Sequence, residues 1–257
     1  MSKRAREQSR IQRRLAEVQR QQRAKQRRQR MIWSGVGVAV AAVVAVILVL
    51  TLPGSSGGGA SNEVIPPAVA AGSPVVMPAA LTVPNTTGIS GVVAYDTTGW
   101  PQTSRNGPAN RALPHNHVPG PVTYSVTPPV GGDHNGTWMN CGVYAQPVPT
   151  ERAVHNLEHG AIWITYQPSL PRAEVNQLRS FESSQSVLSG GSHYIDVTPF
   201  LGLPSPIVAS SWGFQLRLTS PTDPRLQEFV NKFRVSQRYT PEYGAPCTGG
   251  LGTPLQK

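Results

Sequence analysis

The chain has 257 residues, a formal net charge of +10 and only two cysteines. The excess charge is confined to residues 1–30, which hold 12 of the 23 Lys and Arg residues but 2 of the 13 Asp and Glu residues. The remaining residues carry eleven charges of each sign, so the body of the protein is electrically balanced. Because nucleic-acid-binding domains usually present a basic surface, this balance argues against nucleic acid as a partner of the body.

A run of 22 residues without charge follows the basic tail, from Met31 to Leu52. As a helix it is roughly 33 Å long, enough to cross a bilayer core of about 30 Å. It is longer than the apolar region of a secretory signal peptide, so we predict an uncleaved transmembrane helix over 31–52. Three arginines within 27–30 precede it, and the next Lys or Arg after it is Arg105. The positive-inside rule then predicts a single-pass cell-membrane protein with a cytoplasmic N-terminus and an extracytoplasmic C-terminal domain.

The segments on either side of the predicted span differ in composition. The tail, 1–30, is rich in helix-forming residues, and Ile11, Leu15 and Val18 lie at helical spacing. We interpret the tail as a topology determinant with a solvated, charged face. The alternatives are that this basic helix lies on anionic lipid of the inner leaflet, or that it binds RNA or a cytoplasmic protein. Residues 53–84 are rich in Pro, Gly and Ala and are predicted to form a flexible linker.

Residues 85–257 are long enough for one domain, which we predict to be α+β, with a mostly antiparallel sheet and two packing helices. The two helices are predicted over 171–188 and 223–234, each with a proline at its start and apolar residues at helical spacing. A shorter helix is predicted over 151–159, ending before Gly160. Alternating or β-branched runs predict strands over 91–98, 121–129, 161–166, 193–199 and 206–218.

All six histidines lie between positions 115 and 193. His155 and His159 are four residues apart, so on a helix they share a face and can reach one metal ion. Glu158 lies beside them as a candidate base or outer carboxylate, and Glu151 is placed to orient the ring of His155. His134, His117 and Met139 are further candidate ligands. This set suggests copper first and zinc second. Alternatively, His155 and His159 are hydrogen-bonded structural residues at a helix end.

The letters HNLEH, 155–159, match the H-x-x-E-H pattern of inverted zinc peptidases. In those enzymes the two histidines hold zinc and the glutamate is the general base. Here Gly160 limits the helix to about two turns. The downstream helices offer no evident third ligand, because Glu174 and Glu182 lie on surface-patterned positions. A zinc-dependent hydrolase is therefore a minor hypothesis.

Cys141 and Cys247 are the two cysteines, and the predicted topology places both in an oxidising compartment. We predict a disulfide between them, which would fix the Pro- and Gly-rich C-terminal segment to the loop at Cys141. The alternative is that Cys141 is a thiolate ligand of the metal. The two roles exclude each other, so a disulfide leaves the metal site dependent on histidine.

Four ordered blocks resemble the uncharacterised bacterial family known as domain of unknown function 3105. They are HVPGPVTYSVTPPVGGDH, WMNCGVY, ERAVHNLEHGAIWITYQPSL and VASSWG, and the resemblance covers roughly residues 99–237. It implies a basic N-terminus, one span and an outer domain, as is common in actinobacterial members, and implies no established activity. The positions that carry it are His117, Gly120, Pro128, Pro129, Gly132, His134, Gly142, Tyr144, His155, Glu158, His159 and Gly160.

The sequence therefore favours a membrane-anchored extracytoplasmic protein with a transition metal bound by His134, His155, His159 and His117. A structural or interaction module of the cell envelope, without metal and with an unknown protein partner, is the competing hypothesis. The positions of the ring nitrogens distinguish the two. Free nitrogens converging on one point favour a metal, whereas nitrogens already bonded to backbone or carboxylate groups favour a structural role.

Overall fold

The computed structural model describes residues 62–96 and 113–255. The predicted tail, the predicted span over 31–52 and the first part of the predicted linker lie outside these residues. No helix within them has the length and apolar character required to cross a membrane. In chain order the elements are β1 (Val75–Val76), β2 (Thr82–Val83), β3 (Val92–Tyr95), β4 (Val122–Thr123), α1 (Thr150–Glu158), β5 (Ile162–Tyr166), α2 (Arg172–Ser184), a short 3-10 turn (Ser189–Gly191), β6 (Ile195–Pro199), β7 (Ile207–Ser211), β8 (Phe214–Leu218) and α3 (Pro224–Phe233).

Six strands form the main sheet in the order β2-β3-β8-β7-β5-β6. Every neighbouring pair is antiparallel except β5 and β6, which are parallel because α2 forms the crossover between them. The predicted α+β class with a mostly antiparallel sheet is therefore confirmed. A separate pair, β1 with β4, is parallel and only two residues long.

The two faces of the sheet carry different cores because side chains alternate along each strand. On β5, Ile162 and Ile164 belong to the larger core, into which α2 and α3 send Leu178 and Phe229. Trp163 points to the other face, where a second cluster packs it against apolar residues of α1. Two helices therefore cover one face of the sheet, and α1 lies against the other.

The three predicted helices are all present, and the shortest of them, α1, packs into the second core. The fold differs from the prediction in two respects. The strand predicted over 121–129 is limited to Val122–Thr123, because the strand that pairs with it, β1, is itself only two residues long. Residues 75–83, within the predicted linker, contribute β1 and β2, and β2 forms one edge of the main sheet.

Gly160 ends α1 as predicted and is the residue at which the chain turns into β5. Its φ is +93°, and a Cβ there would lie 2.6 Å from Thr240 Oγ1 and 3.0 Å from the Cα of Val235. We expect Gly160→Ala to lower the free energy of unfolding by about 2 kcal/mol, from backbone strain and overpacking together. Gly202→Ala is the control, because its φ is +74° but no heavy atom lies within 4 Å of the added Cβ. Equal losses for both variants in urea denaturation would show that the contact with Thr240 has no effect.

Candidate metal centre

Helix α1 is unusual in that its polar residues are buried along with its apolar ones. Glu151, Arg152, His155, Asn156 and Glu158 are all less than a tenth exposed. The apolar side of α1 packs on the sheet, and its polar side is covered by loop 113–141 and by the C-terminal segment 240–253. Buried polar groups are normally bonded, so each of these side chains is expected to have a partner in the covering segments.

Loop 113–141 places two histidines next to α1. An isolated parallel β-bridge joins His117 and His134, with Val118 N donating to His134 O and His134 N donating to Asn116 O. Residues aligned across such a bridge point to the same side of the pair. The bridge therefore directs both imidazoles toward the buried polar face of α1.

Glu158 is 1% exposed, and its carboxylate lies among the imidazoles of three histidines of loop 113–141. Its carboxylate oxygens lie 3.3 Å from His115 Nδ1, 3.6 Å from His117 Nε2 and 2.8 Å from His134 Nε2. The ring of His155 completes the group, with its centroid 4.9 Å from that of His117 and 4.8 Å from that of His134. One ligand atom from each of four residues lies within 4.8 Å of all the others, and these residues are His117, His134, His155 and Glu158.

Backbone carbonyls fix the tautomer of three of the histidines. The Nδ1 atom of His134 lies 2.8 Å from Gly132 O, that of His155 2.6 Å from Asn135 O, and that of His159 2.7 Å from Pro246 O. A carbonyl oxygen only accepts, so each Nδ1 carries the hydrogen. In the neutral rings the lone pair is then on Nε2. This is the arrangement that second-shell acceptors impose on histidines that bind metals.

Two buried atoms at the centre of the group lack an aligned hydrogen bond. His134 Nε2 and Glu158 Oε2 are only 2.8 Å apart, yet neither makes a hydrogen bond of acceptable geometry. With the hydrogen of His134 on Nδ1, its Nε2 lone pair and the carboxylate oxygen are both acceptors facing each other. Two acceptors at this distance need a cation or a proton between them.

The electrostatics of the group favour an ionised glutamate among imidazoles. Burial has the largest influence on Glu158 and opposes its ionisation, but when a proton is on Nε2 of His134, side-chain hydrogen bonds from His115, His117 and His134 outweigh burial and hold the pKa of Glu158 below its usual range. Burial lowers the pKa of His155 to about 3, so this ring is neutral and its Nε2 is free to bind. The interaction with Glu158 raises the pKa of His117, whose side chain is 49% exposed.

A second, overlapping group lies at the C-terminal end of α1. His159 Nε2 is 3.5 Å from Glu242 Oε2, and His155, His159 and Glu242 bring one ligand atom each within 4.8 Å of the others. The half-buried ring of Trp138 covers both histidines, with centroid distances of 5.7 Å to His155 and 5.2 Å to His159. Because only Nε2 of His155 has a lone pair, His155 can be a ligand in one of the two groups at a time.

Some residues predicted for the site have other roles. Glu151 accepts a hydrogen bond from Val122 N, so Asn135 O and not Glu151 orients the ring of His155. Met139 is fully buried in the apolar cluster beneath α1. Cys141 is paired with Cys247 as a disulfide, their Cα atoms 5.4 Å apart, as predicted and in place of a thiolate ligand.

Other residues of the site were not singled out from the sequence. His115 contacts Glu158, and the alternation of His115 with His117 was the available signal for it. Glu242 and the carbonyl of Pro246 reach the site from more than eighty residues downstream of α1, and no local pattern indicates them. His193 is held apart from the cluster in a pair with Glu182, its Nδ1 2.8 Å from the carboxylate.

The comparisons with known proteins bear on the family alone. Neither a curated protein nor a solved structure matches the chain. The family described as "Protein of unknown function (DUF3105)" matches residues 115–249, which is more than half of the chain and includes α1, both groups of histidines and the disulfide. The matched region extends further toward the C-terminus than the four sequence blocks indicated. The chain therefore belongs to the DUF3105 family.

Proposed function

We propose that this protein binds a transition metal ion through His117, His134, His155 and Glu158, in an extracytoplasmic domain anchored by the apolar run 31–52. The pair of buried acceptors, His134 Nε2 and Glu158 Oε2, is the observation that carries the proposal, because 2.8 Å separates them without an aligned hydrogen bond. A cation between them would replace repulsion by two ligand bonds.

The donor set suits a small tetrahedral ion. Three imidazole nitrogens and one carboxylate oxygen are ligands that zinc takes at about 2.0–2.2 Å. Ligands on a tetrahedron of that size are roughly 3.4 Å apart. Loading therefore requires His134 and Glu158 to separate by about half an ångström, while the exposed ring of His117 moves inward. The exposure of His117 also gives the ion a path from solvent.

Zinc is favoured over copper on the chemistry of the remaining ligands. The expectation of copper depended on sulfur from Met139 or Cys141, and these side chains are an apolar core residue and half of a disulfide. Nitrogen and oxygen ligands in a tetrahedral arrangement are typical of zinc. Copper(II) remains the second candidate, since it binds most nitrogen sites more tightly than zinc.

A hydrolase is a second candidate because of one observation that the sequence did not provide. Glu242 supplies the acidic third ligand that the H-x-x-E-H pattern needs beside His155 and His159. The lowered pKa of Glu158, however, makes it a weak base, and three imidazoles occupy its carboxylate. Ion binding without peptide hydrolysis is therefore the proposal. Zinc-dependent cleavage of unstructured peptides that Glu158→Gln abolishes would favour the hydrolase instead.

Calorimetric titration of the full-length chain with zinc tests the proposal. We expect one saturable site per chain, lost in both His134→Ala and His155→Ala. His193→Ala is the matched control, because it removes a buried imidazole that pairs with Glu182 outside the cluster. Absence of saturable binding of zinc and copper, or binding unchanged in both cluster variants, would contradict the proposal and favour the metal-free envelope module.

A further inference from the structure

Asp196 on β6 is completely buried, and no salt bridge of the described residues involves it. Its Oδ1 accepts a hydrogen bond from Gly142 N at 3.2 Å, and its Oδ2 accepts one from Asn156 Nδ2 at 2.8 Å. The same Oδ2 lies 3.7 Å from the Sγ of Cys141. A carboxyl group buried without a cation is costly, so its position against a disulfide sulfur calls for a physical reason.

The disulfide itself is asymmetric. Cys141 is half-buried, with its Sγ 3.3 Å from Asn156 Nδ2, whereas Cys247 is fully buried in a small apolar cluster with Ala161 and Tyr194. An incoming thiolate attacks the sulfur that it can reach and displaces the other. Cys141 is the more exposed of the two cysteines, so attack at its Sγ would make Cys247 the leaving group.

We propose that Cys141, Cys247 and Asp196 form a thiol–disulfide exchange centre that accepts two electrons from dithiols, with Asp196 carrying the proton of Cys141. The proposal is independent of metal binding, since none of the three residues belongs to the donor set. It assigns a chemical role to a fully buried carboxyl group that the metal site does not use.

The exchange proceeds in two displacement steps. A substrate thiolate attacks Cys141 Sγ, a substrate–Cys141 bond forms, the Cys141–Cys247 bond breaks, and Cys247 leaves as a thiolate that takes up a proton. The second thiol of the substrate, as a thiolate, then attacks the substrate sulfur of the mixed disulfide. Cys141 leaves and takes its proton from Asp196, the substrate becomes a disulfide, and the protein becomes a dithiol. In the reverse direction Asp196 removes the proton from Cys141 and so creates the nucleophile.

The properties of Asp196 suit a proton carrier. Burial raises the pKa of Asp196 to about 7, against the hydrogen bonds from Asn156 and Gly142, so the group exchanges protons near neutral pH. The negative charge of Glu182 also raises the pKa of Asp196. The pKa of Tyr144 is raised mainly by burial and, to a smaller extent, by the charge of Asp196. A structural disulfide would need no proton carrier beside it.

Reduction of the native full-length chain by excess dithiothreitol, followed by reoxidation with oxidised glutathione, tests the proposal. We expect full reduction and reoxidation without loss of folded structure, and Asp196→Asn to slow the exchange at least about tenfold. Asp223→Asn is the control, since it removes a carboxylate that caps α3 and leaves a residue that also caps helices well. A disulfide that resists reduction until denaturant is added, or an Asp196→Asn variant that exchanges at the wild-type rate, would overturn the proposal.

A second measurement applies if Asp196→Asn does not fold. In the reduced wild-type chain, the rate at which iodoacetamide alkylates Cys141 is followed between about pH 5 and pH 9. A thiol coupled to a carboxyl group titrates in two steps that belong to the pair, so we expect two ionisations in the rate profile. A profile with a single ionisation at the value of an ordinary thiol, about 8.5, would show that Asp196 does not act on Cys141.

Discussion

Glu158→Gln is expected to lower the zinc affinity of the full-length chain at least about a hundredfold. Loss of an outer-shell partner alone costs a metal site about 10–100-fold, and Glu158 is in the donor set itself. It is also the only anion among the four ligands, so its replacement removes the charge that balances the ion. The amide would direct an N–H₂ group toward either the imidazoles or the ion. Competition with a chromophoric zinc chelator measures the change.

Glu182→Gln is the matched control for this substitution. Glu182 is also a buried glutamate paired with a histidine, but its partner is His193, which lies apart from the cluster. We expect its zinc affinity to equal that of the wild type, with any effect confined to stability. A Glu158→Gln chain that binds zinc as tightly as the Glu182→Gln chain would exclude Glu158 as a ligand.

Arg152→Met is expected to cause the largest loss of stability among the substitutions considered. Arg152 is buried on α1, and its guanidinium donates to Pro67 O, Asn135 Oδ1 and Thr137 O, each at 2.9 Å. Hydrogen bonds from a charged group contribute about 1.5–3 kcal/mol each. Methionine keeps much of the volume but removes all three hydrogen bonds, and because their acceptors are only partly buried and can bond to water, we expect a loss of about 3 kcal/mol in the free energy of unfolding.

The same substitution is expected to weaken zinc binding indirectly. Arg152 holds the Asn135 side chain, and the carbonyl of Asn135 orients the ring of His155. Arg225→Met is the control, because Arg225 forms a partly exposed ion pair with Asp223, a type worth about 1 kcal/mol or less. Urea denaturation compares the two variants. Similar losses would mean that the three hydrogen bonds of Arg152 contribute no more than a surface ion pair.

The sequence predicted those parts of the fold that depend on local pattern. Pro224 after Asp223, followed by apolar residues at helical spacing, defines α3, and the Asp223 side chain caps it as expected. The spacing of His155 and His159 likewise placed them on one face at the end of a single helix, whose last residue is Glu158 and whose C-cap is His159. These features are encoded within about ten residues of chain, so no tertiary contact is needed to recognise them.

The composition of the site could not be obtained in the same way, because distant segments form it. An isolated bridge joins His117 to His134, and no periodic pattern marks a bridge of one residue pair. Glu242 reaches His159 from the C-terminal segment, which the disulfide at Cys247 ties to Cys141. Glu151 was four residues before His155, yet its carboxylate turns to Val122 N. Helical spacing thus predicted proximity but not the direction of the side chain.

A metal site can be distinguished from a structural histidine cluster only if the partners of both ring nitrogens are known. Each of His134, His155 and His159 has a backbone partner, which taken alone would indicate a structural role. That partner is at Nδ1 in all three rings, and it leaves Nε2 to face the cluster. Nε2 of His134 and of His159 faces a carboxylate oxygen, of Glu158 at 2.8 Å and of Glu242 at 3.5 Å, and a metal-binding histidine combines a bonded Nδ1 with an Nε2 directed at the ion.

Anomalous diffraction at the zinc edge from a crystal of the zinc-loaded protein tests the central claim most directly. The account predicts one peak bounded by Nε2 of His117, His134 and His155 and by the carboxylate of Glu158, at about 2.0–2.2 Å from each ligand atom. No peak within reach of His134 and Glu158, with a hydrogen bond between their side chains in its place, would contradict it.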